Sequence, residues 1–435
     1  MQVGVIGLWH LGSVTAACVA EHFPTIAYDP DPATIHQLSA GCPPIREPQL
    51  PELIQNGLRS GRLRFSNDLP ETIRQCDIIW VTFDTPVGEN DQADVDFVRR
   101  QIEAMFPFLP KGSLVLVSSQ VPVGFMREIE VSFDKTFPGR EVTFVYSPEN
   151  LRLGKALDAF RHPERILVGV RRDCDRSRLL SLFSPFCQRL EWMSVESAEM
   201  SKHALNAFLA TSITFINEIA VLCERVGADA KEVERGLKSE PRIGPGAYLI
   251  PGSAFSGGTL GRDIGFLFRV GLQHRLPVHL INAVAISNEQ HKDWPMSTLK
   301  DLWGDLLGKT VAVLGLTYKP GTDTLRRSAS VELCIRLAQQ GSLVRAYDPT
   351  LQSLPPELSQ SIQLCWSPQE ALHQSDAVLI ATEWPEFQRL SPEDFVSMMR
   401  TTLILDPNRF LEAQLGKDSR LRYIAIGRIR EFHET

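Results

Sequence analysis

Apolar residues along the first part of the chain gather into short runs, at 2–6 (QVGVI), 77–83 (DIIWVTF), 113–119 (SLVLVSS), 142–147 (VTFVYS) and 165–170 (RILVGV). Each run is too short for a buried helix, and helical stretches separate them, which is the alternation of a mostly parallel, doubly wound sheet. The opening residues form one such unit: strand 2–6, a turn over 7–12, a small-residue helix over 13–21, and a second strand, TIAYD, ending at Asp29. From 194 to about 298 the strand signal vanishes and apolar residues recur at helical spacing, as in AEMSKHALNAFLATSITFINEIAVLCERVG. At Lys309 the first pattern restarts with KTVAVLGLTYK, a helix from about Ser330, then LVRAYDP, DAVLIAT and TLILD. VGVIGL and VAVLGL correspond, as do the two AYDP segments, which points to an internal repeat. The expected architecture is α/β: two Rossmann-like doubly wound domains, 1–193 and 299–435, joined by a central helical domain, 194–298.

A chain of 435 residues exceeds the size at which one core stops growing, so several domains agree with the pattern. The net charge of −7, without long like-charge runs, argues against a general nucleic-acid surface. Eight cysteines show no CxxC pair and no ligand spacing with histidines, so neither a disulfide framework nor a zinc or other metal site is expected, and the thiols read as reduced and mostly buried. The N-terminus has no basic leader, and no apolar run reads as long enough to span a membrane. A cytoplasmic protein without membrane insertion is the expectation.

Candidate chemistry begins at the first βα turn, Gly7-Leu-Trp-His-Leu-Gly12. A dinucleotide's diphosphate needs small residues there, so that amides at the helix N-terminus can approach it. Gly7 and Gly12 fit that requirement, with Leu11 beside them, whereas Trp9 stands where the middle glycine belongs. Asp29, at the end of the second strand, suits ribose hydroxyls and disfavours a 2′-phosphate, so NAD is preferred over NADP. The turn by itself fits equally well a domain that keeps its packing glycines and holds no ligand.

Further segments carry a resemblance. IREPQLPELI, FDTPVGENDQADVDFV, SSQVPVGF, SPENLRLGKALDAFRHPERILVG, EMSKHALNAFLATSITFINE, PRIGPGAYLIPGSAFSGG, TYKPGTDTLRRS, SDAVLIATEWPEF and ILDPNRF follow one another in an order and wording similar to the UDP-glucose/GDP-mannose dehydrogenase family. The resemblance implies NAD contacts at Thr85 and Arg326, with Gln120 standing where the family has a threonine. It implies an active site of Glu149, which positions water or substrate, Lys202 and Asn206, four apart on one helix face, and Asp263, which works with Lys202 on a water. Lys202 would donate to a developing alkoxide or oxyanion. Substrate contacts are implied for Arg242, Gly257, Lys319 and Arg409, on a UDP- or GDP-sugar used for polysaccharide or glycoconjugate synthesis, and the family pairs into homodimers through its central domain.

The loop FSGGTLGRD departs from the family's Phe-Gly-Gly-Ser-Cys-Phe-x-Lys-Asp: Thr259 replaces the nucleophilic cysteine and Arg262 the lysine. A threonine hydroxyl is a weak nucleophile unless a base activates it. In the family two hydride transfers take an alcohol through a cysteine-bound aldehyde to a carboxylate. Here three outcomes stay open: a dehydrogenase of altered chemistry that oxidises the hydrated aldehyde, a single oxidation to an aldehyde or ketone, or a silent nucleotide-sugar binder. Read without the family, Asp263 would be an ordinary helix N-cap and Lys202 a solvated charge.

Overall fold

The computed structural model describes residues 1–86, 93–256 and 258–429, and the chain divides into two compact units, 1–204 and 205–435. The first holds an eight-stranded sheet of β1 (Val3–Ile6), β2 (Thr25–Tyr28), β3 (Leu63–Ser66), β4 (Ile78–Val81), β5 (Leu114–Val117), β6 (Thr143–Tyr146), β7 (Ile166–Gly169) and β8 (Leu190–Met193), in the order β3-β2-β1-β4-β5-β6-β7-β8. All pairs are parallel except β6 with β7. The continuous apolar runs are explained by burial on both faces, as a sheet covered by crossover helices requires. Val3, Val5, Ile78, Trp80, Leu114 and Leu116 enter one core layer, while Ile6, Ile79, Val81, Val115 and Val117 enter the other.

Helix α1 (His10–Val19) follows β1, and its start lies three residues earlier than the sequence pattern predicts because the turn is completed by Trp9. Gly7 has φ +95°, and a Cβ on Gly12 would lie 1.7 Å from the Gly7 carbonyl oxygen. Both ends of this turn therefore require glycine. Helix α2 (Phe125–Thr136) follows β5; buried Glu199 accepts hydrogen bonds from the amides of Gly124 and Met126 at its start, at 2.7 and 2.9 Å.

Helix α3 (Val195–Val226) runs on from the first unit into the second. At 32 residues, with an 18-residue window of mean hydropathy 1.5, it is long and apolar enough to cross a membrane, which corrects the sequence expectation of no such run. Of that window 44% is buried, and the helix carries Glu199, Lys202, Asn206 and Asn217 as buried polar residues.

The second unit continues with α4 (Ala230–Ser239), α5 (Leu260–Gln273), α6 (His279–His291) and α7 (Trp294–Trp303), and then a six-stranded parallel sheet. Its strands are β9 (Thr310–Leu314), β10 (Leu343–Tyr347), β11 (Gln363–Leu364), β12 (Ala377–Ile380), β13 (Leu403–Leu405) and β14 (Arg422–Ile424), ordered β11-β10-β9-β12-β13-β14, with α8 (Ala329–Gln339) after β9. The expected repeat is present in detail. Gly315 has φ +96°, matching Gly7; its amide donates to the Tyr347 carbonyl at 2.8 Å, as that of Gly7 does to Tyr28. The amides of Leu8 and Leu316 donate to the carboxylates of Asp29 and Asp348, each at 2.8 Å.

Candidate active site

In the first unit the strand order reverses between β1 and β4, and the crevice at their C-terminal ends is where an open α/β sheet binds its ligand. Thr82 donates to the Gly7 carbonyl at 2.8 Å and fixes the turn. Trp9 is the N-cap residue of α1, is 52% exposed, and makes no side-chain bond to the helix start. The Leu11 amide in the first turn lies 3.4 Å from the Asp84 carboxylate. Asp29 sits at the end of β2, its carboxylate accepting from Leu8 and, at 3.0 Å, from Asp31; burial holds this carboxyl above its ordinary value despite those bonds. Thr85 donates to the Gln120 carbonyl at 2.6 Å, which joins the two loops flanking the crevice. These groups fit a dinucleotide: a helix start without a side-chain cap, a first glycine with no Cβ, and a carboxylate at the ribose position. Ser119, beside Gln120, adds a buried hydroxyl without a hydrogen-bond partner among the described residues.

Behind this crevice Trp80 donates to Ser118 at 2.9 Å and Ser118 to the Ser147 carbonyl at 2.6 Å, holding the loop after β6. Glu149 stands in that loop; one carboxylate oxygen accepts from the Leu151 amide at 2.5 Å and the other lies 3.5 Å from the Lys202 ammonium. Lys202 also donates to the Glu149 carbonyl and, at 3.3 Å, to Asn150. It is 6% exposed, so it is no solvated charge. A buried ammonium persists only when paired and hydrogen-bonded, and the Glu149-Asn150 loop supplies both.

In the second unit Asn206 donates to the Asp263 carboxylate, both residues being buried. Asp263 is not the helix N-cap that sequence reasoning offered: α5 begins at Leu260, Thr259 is the N-cap residue, and Asp263 lies in the first turn facing inward. Thr259 is exposed and makes no capping bond. Gly257 lies outside the described residues. A Cβ on Gly258 would lie 2.2 Å from a guanidinium nitrogen of Arg327, so that arginine packs directly on the backbone before Thr259. All eight cysteines are free; Cys42 and Cys174 are exposed, the rest buried, and none is in this loop.

The segment leading into the loop is held by a set of side chains that sequence reasoning missed. Asn217 accepts from the Gly252 amide at 3.0 Å, Asn408 from the Ser253 amide at 2.7 Å, and Asn288 from the Phe255 amide at 2.9 Å. His291, whose imidazole burial pushes below its ordinary value, donates through Nε2 to the Gly252 carbonyl at 2.8 Å. Asn217 and Asn408 fall within the quoted FINE and ILDPNRF segments, although neither was singled out; Asn288 and His291 come from a stretch with no motif.

A cavity of about 260 Å³ opens beside this segment at the C-terminal ends of β9, β12 and β13, lined by Lys319, Ser328, Ser330, Thr382, Glu383 and Asn408 among others. Ser328 caps α8, so the cavity also meets a helix N-terminus. Burial raises the Glu383 carboxyl above its ordinary value, against a hydrogen bond from Asn408. Lys319 thus lines a pocket, and its ammonium lies 5.4 Å from the Tyr318 ring centre. Arg326 is exposed. Arg242 is exposed and paired with Glu240 at 2.9 Å. Arg409 is elsewhere: its side chain is 3% exposed and bonded at 3.0 and 2.9 Å to both carboxylate oxygens of Asp229, the N-cap of α4.

Three family descriptions match in order along the chain: the NAD binding domain of the UDP-glucose/GDP-mannose dehydrogenase family over 1–187, its central domain over 196–290, and its UDP binding domain over 312–413. The UDP-glucose 6-dehydrogenase of Rhizobium meliloti (strain 1021) is 34% identical over 437 residues, covering 98% of this chain and 100% of that protein. A UDP-glucose 6-dehydrogenase of Bacillus subtilis (strain 168) is 32% identical, covering 98% and 93%. Among solved structures, a UDP-glucose dehydrogenase from the hyperthermophilic archaeon Pyrobaculum islandicum superposes with a TM-score of 0.86 at 30% identity, covering 98% of this chain and 96% of that one. With full-length similarity of this kind, and with a dinucleotide crevice and a second nucleotide-type cavity each at its sheet's C-terminal edge, the chain belongs to the UDP-glucose/GDP-mannose dehydrogenase family.

Proposed function

We propose that the protein is an NAD-dependent dehydrogenase that oxidises a CH–OH group of a UDP-sugar once, with Thr259 excluding the covalent second stage. The observation that carries this reading is the reaction loop itself: Asn206 and Asp263 are buried and bonded at its base, while Thr259 is exposed at its helix start and no thiol lies in it. UDP is favoured over GDP because the domain matched by the UDP binding description contains the cavity lined by Lys319. Bound at the first crevice, NAD would supply the hydride acceptor, and the hydroxyl proton would pass to a water positioned by Glu149. Lys202 donates to the oxygen as it acquires negative charge, its ammonium being held in place by Glu149 and Asn150. Glu149 positions substrate or water, and Asp263 orients Asn206. Thr259 shapes the pocket, since an unactivated hydroxyl cannot hold an aldehyde as a thiol does.

The test is NADH formed per sugar consumed across a panel of UDP- and GDP-sugars. One NADH per UDP-sugar is the expected result, with an aldehyde or ketone product. Two would establish acid formation through the hydrated aldehyde. No NADH, together with no calorimetric binding of NAD, would leave the silent binder. Thr259→Cys separates the single-step products: it raises the count from one towards two for an aldehyde and leaves it at one for a ketone.

We also read the protein as a cytoplasmic homodimer, with domains close to the expected 1–193, 194–298 and 299–435. Phe208, Phe215, Leu222 and Val226 are exposed on α3 at spacings of seven, seven and four residues, an apolar stripe that pairing would cover. Sedimentation at micromolar concentration should give a dimer, and a monomer at high concentration would remove this part of the reading.

A further inference from the structure

One buried carboxylate joins the cofactor turn of the first unit to the loop that carries Glu149. It belongs to Glu47, in the segment IREPQLPELI, to which the sequence attached no role; the residue is 3% exposed and stands just before the helix Leu50–Arg59. Its side chain accepts three hydrogen bonds. His10 Nε2 and the Gly154 amide donate to one oxygen at 3.1 and 2.8 Å, and the Ala156 amide donates to the other at 2.9 Å. His10 is the first residue of α1, and Ala156 begins the short helix Ala156–Arg161. Gln49, two residues beyond the carboxylate, is held at φ +66°, a left-handed conformation that a side chain disfavours and that surrounding structure must impose. What the carboxylate holds is the reaction loop. After β6 that loop is fixed at one end by the bond from Ser118 to the Ser147 carbonyl at 2.6 Å, and at the other by Glu47. Glu149 and Asn150, which meet the Lys202 ammonium, lie between the two anchors. A buried carboxylate must find donors, and the two amides of a helix start would serve as well here as in any cap. The third donor is different, because it comes from the helix whose first turn receives a dinucleotide's diphosphate.

We propose that Glu47 is a positioning residue that ties the start of α1 to the Glu149 loop, so that NAD bound at the turn tightens the loop that holds Lys202. The diphosphate orders the first turn of α1. His10 belongs to that turn and passes the restraint to Glu47, and Glu47 passes it to the amides of Gly154 and Ala156. A loop already ordered by the first ligand costs less to order when the sugar nucleotide arrives. The effect on turnover rests on the proposed part of Glu149 and Lys202 in the reaction, whereas the link between turn and loop rests only on NAD binding.

The test uses the full-length protein, its Glu47→Gln variant and the pair His10→Leu and His10→Gln, of which only the second keeps a donor to the carboxylate. The first readout is amide hydrogen exchange at Gly154 and Ala156, with and without saturating NAD. In the parent NAD should slow exchange there by about tenfold, a coupling of ordinary size. His10→Leu should abolish the slowing while NAD still binds, and His10→Gln should restore it. The second readout is steady-state turnover of a UDP-sugar at saturating NAD. Here kcat should fall about tenfold in Glu47→Gln and His10→Leu with KM for the UDP-sugar within about twofold, and should recover in His10→Gln. If Glu47→Gln does not fold, the His10 pair decides by itself. NAD slowing exchange equally in parent and His10→Leu, or leaving it unchanged in the parent, would overturn the proposal and reduce Glu47 to the cap of a short helix; so would an unchanged kcat in His10→Leu. No binding of NAD by the parent would overturn the proposal and the dehydrogenase reading together. A parent that binds NAD but forms no NADH from any UDP-sugar would remove the proposed function alone, and the exchange result would still decide whether the turn and the loop are linked.

Discussion

Lys202→Met should lower kcat for UDP-sugar oxidation by about 10²–10³-fold, the loss found when one preorganised donor to a developing oxyanion is removed. The substitution keeps the length and apolar stem of the side chain, so packing along α3 is nearly preserved while the cation is lost. Three oxygens now meet the ammonium: the Glu149 carbonyl, the Glu149 carboxylate at 3.5 Å and Asn150 at 3.3 Å. Without it the Glu149 carboxylate keeps only the Leu151 amide of these bonds, and the loop carrying it loosens. UDP affinity, which under the proposed function depends on the cavity around Lys319 in the other unit, should stay within about threefold by calorimetry. A kcat within threefold of the parent would mean that Lys202 is an internal strut for the Glu149 loop and has no part in the chemistry.

The second large effect is on stability. Asp229→Ala should cost about 2–4 kcal/mol, below the range for a fully buried pair because Asp229 is about a third exposed. It leaves the Arg409 guanidinium in the interior, with the Ile426 carbonyl at 3.3 Å and Glu412 at 3.8 Å as remaining partners. It also removes the N-cap of α4, where Asp229 accepts from the amides of Lys231 and Glu232. Asp229→Asn keeps the cap and loses the charge, so it should fall between parent and alanine variant in urea midpoint. Burial would raise the Asp229 carboxyl, but its bonds to Arg409 outweigh that and leave it below the ordinary value. A carboxyl depressed in the folded state stabilises above its unfolded pKa, near 4, and that contribution is lost as pH falls through the lower folded value. The gap between parent and Asp229→Asn should accordingly close in acid. Equal urea midpoints for parent and Asp229→Ala at pH 7 would show that Arg409 is satisfied by its other partners.

Much of the candidate site was legible because it resides in local segments. Gly7 and Gly12 could be read from the turn, since the chain reverses there within six residues and only small groups fit. Lys202 and Asn206 were marked by the family resemblance, with the four-residue spacing placing them on one helix face, and both proved to be buried. Asp263 was ambiguous as text, because a carboxylate near a helix start serves a cap or an interior bond equally well; Asn206, 57 residues away, resolves it. Arg409 shows the reverse. Its motif suggested substrate, yet its guanidinium is bonded to an aspartate 180 residues earlier in the chain. The asparagines that hold Gly252, Ser253 and Phe255 were not singled out, although Asn217 and Asn408 lie within quoted segments, since each acts through one backbone amide and any sequence context can supply that.

By itself the sequence determined the alternation of elements, the two nucleotide-type sheets and the helical stretch between them, because runs buried on both faces must be continuously apolar whatever their neighbours. Edge strands such as β3 and β14 escaped that reading: with one side open they mix exposed and buried residues, and nothing local separates them from loops. Only the tertiary structure decided which polar groups meet. The pairing of Lys202 with Glu149, of Asn206 with Asp263 and of Arg409 with Asp229, and the placing of Asp84 against the first turn of α1, join residues 53 to 180 positions apart. Charge and hydrogen-bonding capacity are written in each residue, but their partners are chosen by the packing of the apolar segments between them.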